Sequence, residues 1–234
     1  MHTVWAAISA AFALGAAHAL EVDHMVAVSA FVGNRPRIAA SIGYGLRWGL
    51  GHAAVVFLVG SALTLSGLRL PPSSDRWAEM GVGVILIALG LWAIRRAARL
   101  HVHAPGVADG HTGAHVHLHV HDPTQHPHHH HQHHHDRTRH RHLSTLIGAA
   151  HGLAGTGPIV ALIPVAMIER PLVAVGYLAA FGVGTMLAMA TYAALAAVAV
   201  GQATRSQRTA RLAATVTGVL SLVVGVWWVV RAIA

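Results

Sequence analysis

Histidine and carboxylate residues recur within stretches of the chain that are otherwise apolar. Six such residues stand out: His18, Glu21, Asp23, His24, His52 and His151. Neutral imidazole nitrogens and carboxylate oxygens are common ligands of divalent transition-metal ions. These residue types therefore indicate a site for such an ion.

The first four of these residues cannot converge from one straight helix. At about 100° per residue, His18, Glu21 and His24 form a stripe about 120° wide, and Asp23 lies about 140° from His18. Two solutions stay open. Either the helix unwinds near Glu21 and Asp23, or Asp23 orients a histidine from behind it.

The surrounding elements are predicted to be transmembrane helices. Of 234 residues, 54% are hydrophobic and 10% are charged, whereas a soluble domain has about 25% charged residues. A bilayer core needs roughly 20 apolar residues per helix. The six predicted spans are Val4–Phe31, Ile38–Leu65, Ala78–Ala98, Ser144–Ile168, Leu172–Gln202 and Ala210–Ile233. We therefore predict an all-α integral membrane protein with six transmembrane helices.

The arginines predict how the chain is oriented. Most of them fall in three alternate loops, on one side of a six-helix chain: Arg35, Arg37, Arg95, Arg96, Arg99, Arg137, Arg139, Arg141, Arg205, Arg208 and Arg211. The positive-inside rule assigns that side to the cytoplasm. We predict a multi-pass protein of the cell membrane with both termini outside.

The two halves of the chain resemble each other. Residues 15–20 read GAAHAL and residues 148–153 read GAAHGL, so His18 and His151 lie 133 positions apart. We predict two three-helix repeats, residues 1–98 and 144–234. Since three is an odd number, the repeats must be inverted, which places a substrate site near the membrane midplane.

Glycines and a proline interrupt the fourth predicted helix. Gly152, Gly155, Gly157 and Pro158 follow His151 closely. They predict a broken or kinked helix, whose exposed backbone carbonyls are usual parts of a transport site. Close helix packing through these glycines is the alternative.

A histidine-rich segment separates the repeats. Of 22 histidines, 17 lie from His101 to His142. We predict that residues 99–143 form a disordered cytoplasmic loop that collects or delivers metal ions. Its candidate ligands include His115, His117, His119, His121, His128, His129, His130 and His131. His2 is a lesser candidate, because it could chelate a metal together with a free terminal amine.

Several classes of protein are disfavoured. The absence of cysteine excludes thiolate metal sites and a thiol relay. The enzyme motifs H-E-x-x-H and G-x-S-x-G are absent, so we expect no enzyme and no bound cofactor. The net charge of +8 resides in short loops, which does not indicate a nucleic-acid partner. His18 and His24 are poorly placed on one helix to ligate a haem.

Two motifs resemble a known family. His18-Ala19-Leu20-Glu21-Val22-Asp23-His24 is similar to the H-x4-D-H signature of the nickel/cobalt transporter (NiCoT, NicO) family, and residues 50–57 resemble its second-helix motif. The resemblance implies nickel or cobalt as substrate, and His18, Asp23, His24 and His52 as metal-handling residues. The short chain with its histidine-rich loop also resembles the related nickel/cobalt efflux proteins.

The predicted function is transmembrane transport of Ni²⁺ or Co²⁺ through a midplane histidine and carboxylate site. Uptake is placed ahead of efflux. Alternatives of another class are a membrane-bound metal store and a haem or redox protein. Expected partners are the lipid bilayer, the transported ion and a cytoplasmic metallochaperone.

Overall fold

The computed structural model describes residues 2–33, 37–68, 71, 73–103, 117–120, 135–154, 161–162, 164–165, 167–203 and 207–234. Seven helices are assigned in these ranges: α1 (His2–His18), α2 (Val22–Val32), α3 (Ile38–Ser66), α4 (Ser74–Ala98), α5 (His135–Ala154), α6 (Pro171–Ala203) and α7 (Gln207–Ile233).

The helices are those of an integral membrane protein. Within the described ranges, four helices, α3, α4, α6 and α7, are long and apolar enough to cross a bilayer, and the bent pair of α1 and α2 would make a fifth. The predicted span Ser144–Ile168 is described as helix through Ala154. Residues 155–160, 163 and 166 lie outside the described part, and so does the predicted break at Gly155–Pro158.

The first predicted span is broken rather than continuous. Helix α1 ends at His18, α2 begins at Val22, and their axes meet at 57°. The amide of Glu21 donates to the carbonyl of His18 at 3.0 Å, which tightens the last turn of α1. Glu21 is then extended, with φ −65° and ψ 152°, and its carbonyl accepts from the amide of Met25 as α2 begins. This three-residue break redirects the chain within the protein.

Glycines permit close contact between antiparallel helices. A Cβ atom added to Gly45 would lie 2.7 Å from the carbonyl oxygen of Met189, and one on Gly49 would lie 2.8 Å from the Cα of Met186. Residue numbers rise along α3 as they fall along α6, so the two helices run in opposite directions. Small residues at such contacts let backbones approach without a side chain between them.

The buried apolar residues form two main clusters, one on each side of the polar centre described below. The first contains Val28, Tyr44, Trp48, Leu86 and Met189, with others. The second contains Ala11, Val56, Tyr177, Leu178 and Phe181, with others.

A short ribbon follows α4. Strand β1 (Leu100–His103) pairs antiparallel with β2 (His117–Val120). The register places His101 opposite His119 and His103 opposite His117. The ribbon holds the described residues of the predicted loop that precede α5, and β1 also contacts α7.

Candidate metal centre

Four histidines and one aspartate meet in the interior of the helix bundle. His18, His24, His52 and His151 are at most 2% exposed, and Asp23 is 3% exposed. Apart from His2, these four are all of the histidines that lie outside residues 101–142. The structure therefore gathers residues from distant parts of the chain into one buried site.

One group of ligands consists of imidazoles alone. His18, His24 and His52 could each offer one nitrogen, and these atoms lie within 4.8 Å of one another. The Nε2 atoms of His18 and His52 are 3.3 Å apart. Nitrogens bound to the same ion at about 2.1 Å are separated by roughly 3.0–3.4 Å in tetrahedral or octahedral geometry. The observed separation is thus suitable for sharing an ion.

A second group includes a carboxylate. Asp23, His24 and His151 also place their ligand atoms within 4.8 Å of one another. His151 Nε2 is 3.2 Å from Asp23 Oδ2, while Asp23 Oδ1 lies 3.0 Å from His24 Nδ1 and accepts the His24 amide at 2.9 Å. The carboxylate thus contacts a histidine from its own helix and one from α5.

The break between α1 and α2 makes this convergence possible. His18 is the last residue of α1, whereas Asp23 and His24 belong to the first turn of α2. The bend therefore removes the angular conflict expected of a straight helix. Asp23 itself is helical, and its contact with His24 is the kind by which a carboxylate orients a metal-binding histidine.

Two aromatic rings flank the centre, and neither was selected as a functional residue from the sequence. Phe181 lies against His18 with ring centroids 5.5 Å apart, and Trp48 lies against His151 at 5.7 Å. Both aromatic side chains are fully buried. The signal that could have found them is the repeat, because Trp48 and Phe181 are 133 positions apart, like His18 and His151.

The other predicted ligands lie apart from the two groups. Glu21 has a side chain that is 39% exposed, and its Oε1 is 3.0 Å from His18 Nδ1. His2 is exposed at the start of α1. Of the loop candidates, His117 and His119 belong to β2. The rest lie outside the described residues: His115, His121, His128, His129, His130 and His131.

The donor set favours borderline divalent cations. Imidazole nitrogens suit nickel, cobalt, zinc and copper, and a carboxylate adds negative charge in a site from which water is largely excluded. The sequence has no cysteine, so thiolate coordination is not available.

Comparisons with known proteins agree with a membrane protein of this kind. Residues 49–227 match the family described as the cytochrome c biogenesis protein transmembrane region. The chain belongs to that family. A thiol relay is nevertheless excluded for this member, because it contains no cysteine.

Two curated relatives confirm the resemblance to the nickel/cobalt transporter family. The chain is 28% identical to the urease accessory protein UreH of Bacillus sp. (strain TB-90) over 215 residues, which are 92% of this chain and 86% of the relative. It is 37% identical to a Methanocaldococcus jannaschii protein provisionally named a nickel/cobalt efflux system. That match covers 97 residues, which are 40% of this chain and 45% of the relative. No solved structure matches.

Proposed function

We propose that the protein transports nickel or cobalt ions across the cell membrane and that the ion passes through the buried centre. The observation that carries this proposal is the convergence of His18, His24, His52 and His151 around Asp23. A polar side chain in a bilayer core costs on the order of 3 kcal/mol on insertion scales. Five of them in one place require a compensating role.

Ordinary packing does not account for these side chains. His24 Nε2, His52 Nδ1 and His151 Nδ1 are buried and have no hydrogen-bond partner among the described residues. A buried polar atom without a partner destabilises the fold by about 1–3 kcal/mol. A bound cation would supply a partner for imidazole nitrogens that face it.

The contacts around the centre support an inverted repeat. A Cβ atom on Gly15 would collide with the carbonyl oxygen of Phe181, and one on Gly148 would collide with that of Trp48. The 133-residue offset relates Gly15 to Gly148 and Trp48 to Phe181. The same contact is thus made twice, with the two halves of the chain exchanged.

The core clusters are exchanged in the same way. Trp48 and Met189 belong to one cluster, while Phe181 and Val56 belong to the other. The same offset relates Trp48 to Phe181 and Val56 to Met189. Two inverted halves around a midplane site is the architecture of many transporters.

The mechanism that we propose is alternating exposure of the centre. In the described structure the site is closed on the sides where Trp48 and Phe181 pack against it. Movement of one half of the bundle would uncover one side while the other stays closed. The histidines and Asp23 would hold the ion while it is shielded from water.

The direction of transport is proposed as uptake, with the arginine-rich side of the protein in the cytoplasm. There the histidine-rich segment would receive the ion and pass it to a metallochaperone. Efflux is the second candidate, favoured by the name of the Methanocaldococcus jannaschii relative.

Metal accumulation in cells tests the proposal. Cells that express the wild type, a His18→Ala/His24→Ala double variant or an exposed-site control, Thr191→Ala, are incubated with radioactive nickel or cobalt. We expect the wild type and the control to change accumulation and the double variant to match empty vector. A rise indicates uptake and a fall indicates efflux.

Equal accumulation in wild-type and double-variant cells, both different from empty vector, would contradict transport through the centre. Deleting residues 101–142 separates a carrier from a membrane-bound metal store. A carrier would lose only part of its effect, whereas a store would lose all of it.

A further inference from the structure

The five residues of the buried centre do not surround a single point. They form two groups of three, and only His24 belongs to both. We call His18, His24 and His52 the three-histidine position. We call Asp23, His24 and His151 the aspartate position.

The ring contacts show that His24 lies between the two ends of the centre. Its ring centroid is 4.5 Å from that of His18, 5.0 Å from that of His52 and 4.6 Å from that of His151. His52 and His151 are farther apart, at 6.1 Å. One ion therefore cannot take all five ligands in this arrangement.

Each position has its own closely spaced pair of ligand atoms. The Nε2 atoms of His18 and His52 are 3.3 Å apart, and His151 Nε2 is 3.2 Å from Asp23 Oδ2. Both spacings suit two ligands on one ion. His24 could complete either group.

We propose that the centre holds one ion at two alternative positions and that His24 stays bound while the ion moves from one to the other. This inference rests on the proposed function and adds how the ion moves within the site. Both positions cannot be filled together, because they share a ligand and two divalent cations so close would repel strongly.

The two positions differ in charge and in surroundings. The three-histidine position has only neutral ligands, and the half-exposed Glu21 carboxylate reaches His18 Nδ1 at 3.0 Å. The aspartate position has a buried carboxylate, and Trp48 lies against its histidine. His18 and His151 occupy equivalent places in the two repeats, so each half of the protein would supply the outer ligand of one position.

Metal binding by purified variants in detergent tests the inference. We compare the wild type, His18→Ala, His151→Ala, the double variant and His24→Ala. Binding of Co²⁺ is titrated, and the ligands are identified by visible and X-ray absorption spectra. His24→Gln, which keeps a polar side chain, guards against loss of folding, and size-exclusion profiles are compared throughout.

Each single variant at His18 or His151 should still bind one ion, within roughly tenfold of the wild-type affinity, because one position remains complete. The double variant and both His24 variants should lose about 100-fold or more, at the upper end of the range for damaged metal sites. His151→Ala should show imidazole ligands without carboxylate, and His18→Ala should include the carboxylate.

Two results would overturn the two-position arrangement. In one, His18→Ala and His151→Ala each lose as much affinity as His24→Ala. In the other, the double variant binds as well as the weaker single variant. Failure of the wild type to bind either Co²⁺ or Ni²⁺ would instead contradict the proposed function itself.

Discussion

Asp23 contacts more of the buried histidines through hydrogen bonds than any other described side chain of the centre. Its two oxygens reach His24 and His151, at 3.0 and 3.2 Å. It also supplies the only full negative charge that is buried there among the described residues. A divalent cation in a medium of low dielectric constant should depend strongly on that charge.

Replacement of Asp23 by asparagine should therefore weaken binding without a large change in shape. The asparagine side chain would keep an oxygen acceptor for the His24 amide but lose the negative charge. We expect the affinity for Ni²⁺ to fall about 10- to 100-fold. Competition with a coloured chelator measures this in the purified protein.

Glu169→Gln is the matched control for this variant. Glu169 is exposed in the segment before α6, so the same loss of charge there should leave affinity unchanged. If the Asp23 variant also binds like the wild type, the carboxylate is not a ligand and does not orient one.

The sequence predicted the polar residues of the centre better than the apolar ones. Histidines and an aspartate in an apolar stretch stand out, because burying them has a large energetic cost. Trp48 and Phe181 did not stand out, since a buried aromatic side chain is usual in any core. Glu21 was included with the ligands because it is close in sequence, yet the bend leaves it partly exposed.

At the scale of helices, close backbone contact at two equivalent glycines holds the bundle around the centre. Gly15 lies against the Phe181 carbonyl, and Gly148 lies against the Trp48 carbonyl. A carbonyl oxygen in a helix cannot move aside as a flexible side chain can. The helices would have to separate to admit a methyl group.

We therefore expect Gly15→Ala and Gly148→Ala to destabilise the protein by about 1–3 kcal/mol each, as in other overpacked cores. Thermal unfolding in detergent, followed by circular dichroism, measures the loss.

Gly176→Ala on α6 is the control for these glycine variants. A Cβ atom there meets only the flexible end of Ile8, at 3.4 Å. Because alanine favours a helix over glycine by up to about 1 kcal/mol, this variant should be neutral or more stable. Equal unfolding temperatures for all three variants would contradict the close contacts.

Helix positions were predicted closely, but the break in the first span was not located by any local signal. The predicted starts and ends of the spans that became α3, α6 and α7 lie within three residues of the observed ones. No glycine or proline marks residues 19–21. Only the conflict between side-chain directions suggested unwinding there, and the tertiary contacts of Asp23 and His24 determine where it occurs.

At the scale of the whole molecule, an inverted repeat requires six crossings and opposite orientation of the halves. The described part of the chain contains four candidate spans and the bent pair. The crossing by residues 144–168 remains a prediction, because much of that segment lies outside the described residues. Sequence alone could suggest it from hydropathy but could not establish it.

Labelling of single introduced cysteines tests this topology without background, since the wild type has none. Leu68→Cys, Glu169→Cys and Ala234→Cys should react with a membrane-impermeant thiol reagent on intact cells. Leu143→Cys should react only after lysis. Reaction of Leu143→Cys and Glu169→Cys from the same side would contradict the crossing between them, and with it the six-helix inverted repeat.

Metal flux into proteoliposomes tests the central claim most directly. Vesicles containing the wild type, His24→Ala or the exposed-site control Thr191→Ala are given radioactive nickel outside, and the trapped metal is counted over time. His24 belongs to both groups of ligands, so its loss should reduce flux to that of empty vesicles, while the control should match the wild type. Wild-type flux through His24→Ala vesicles would contradict transport through the buried centre.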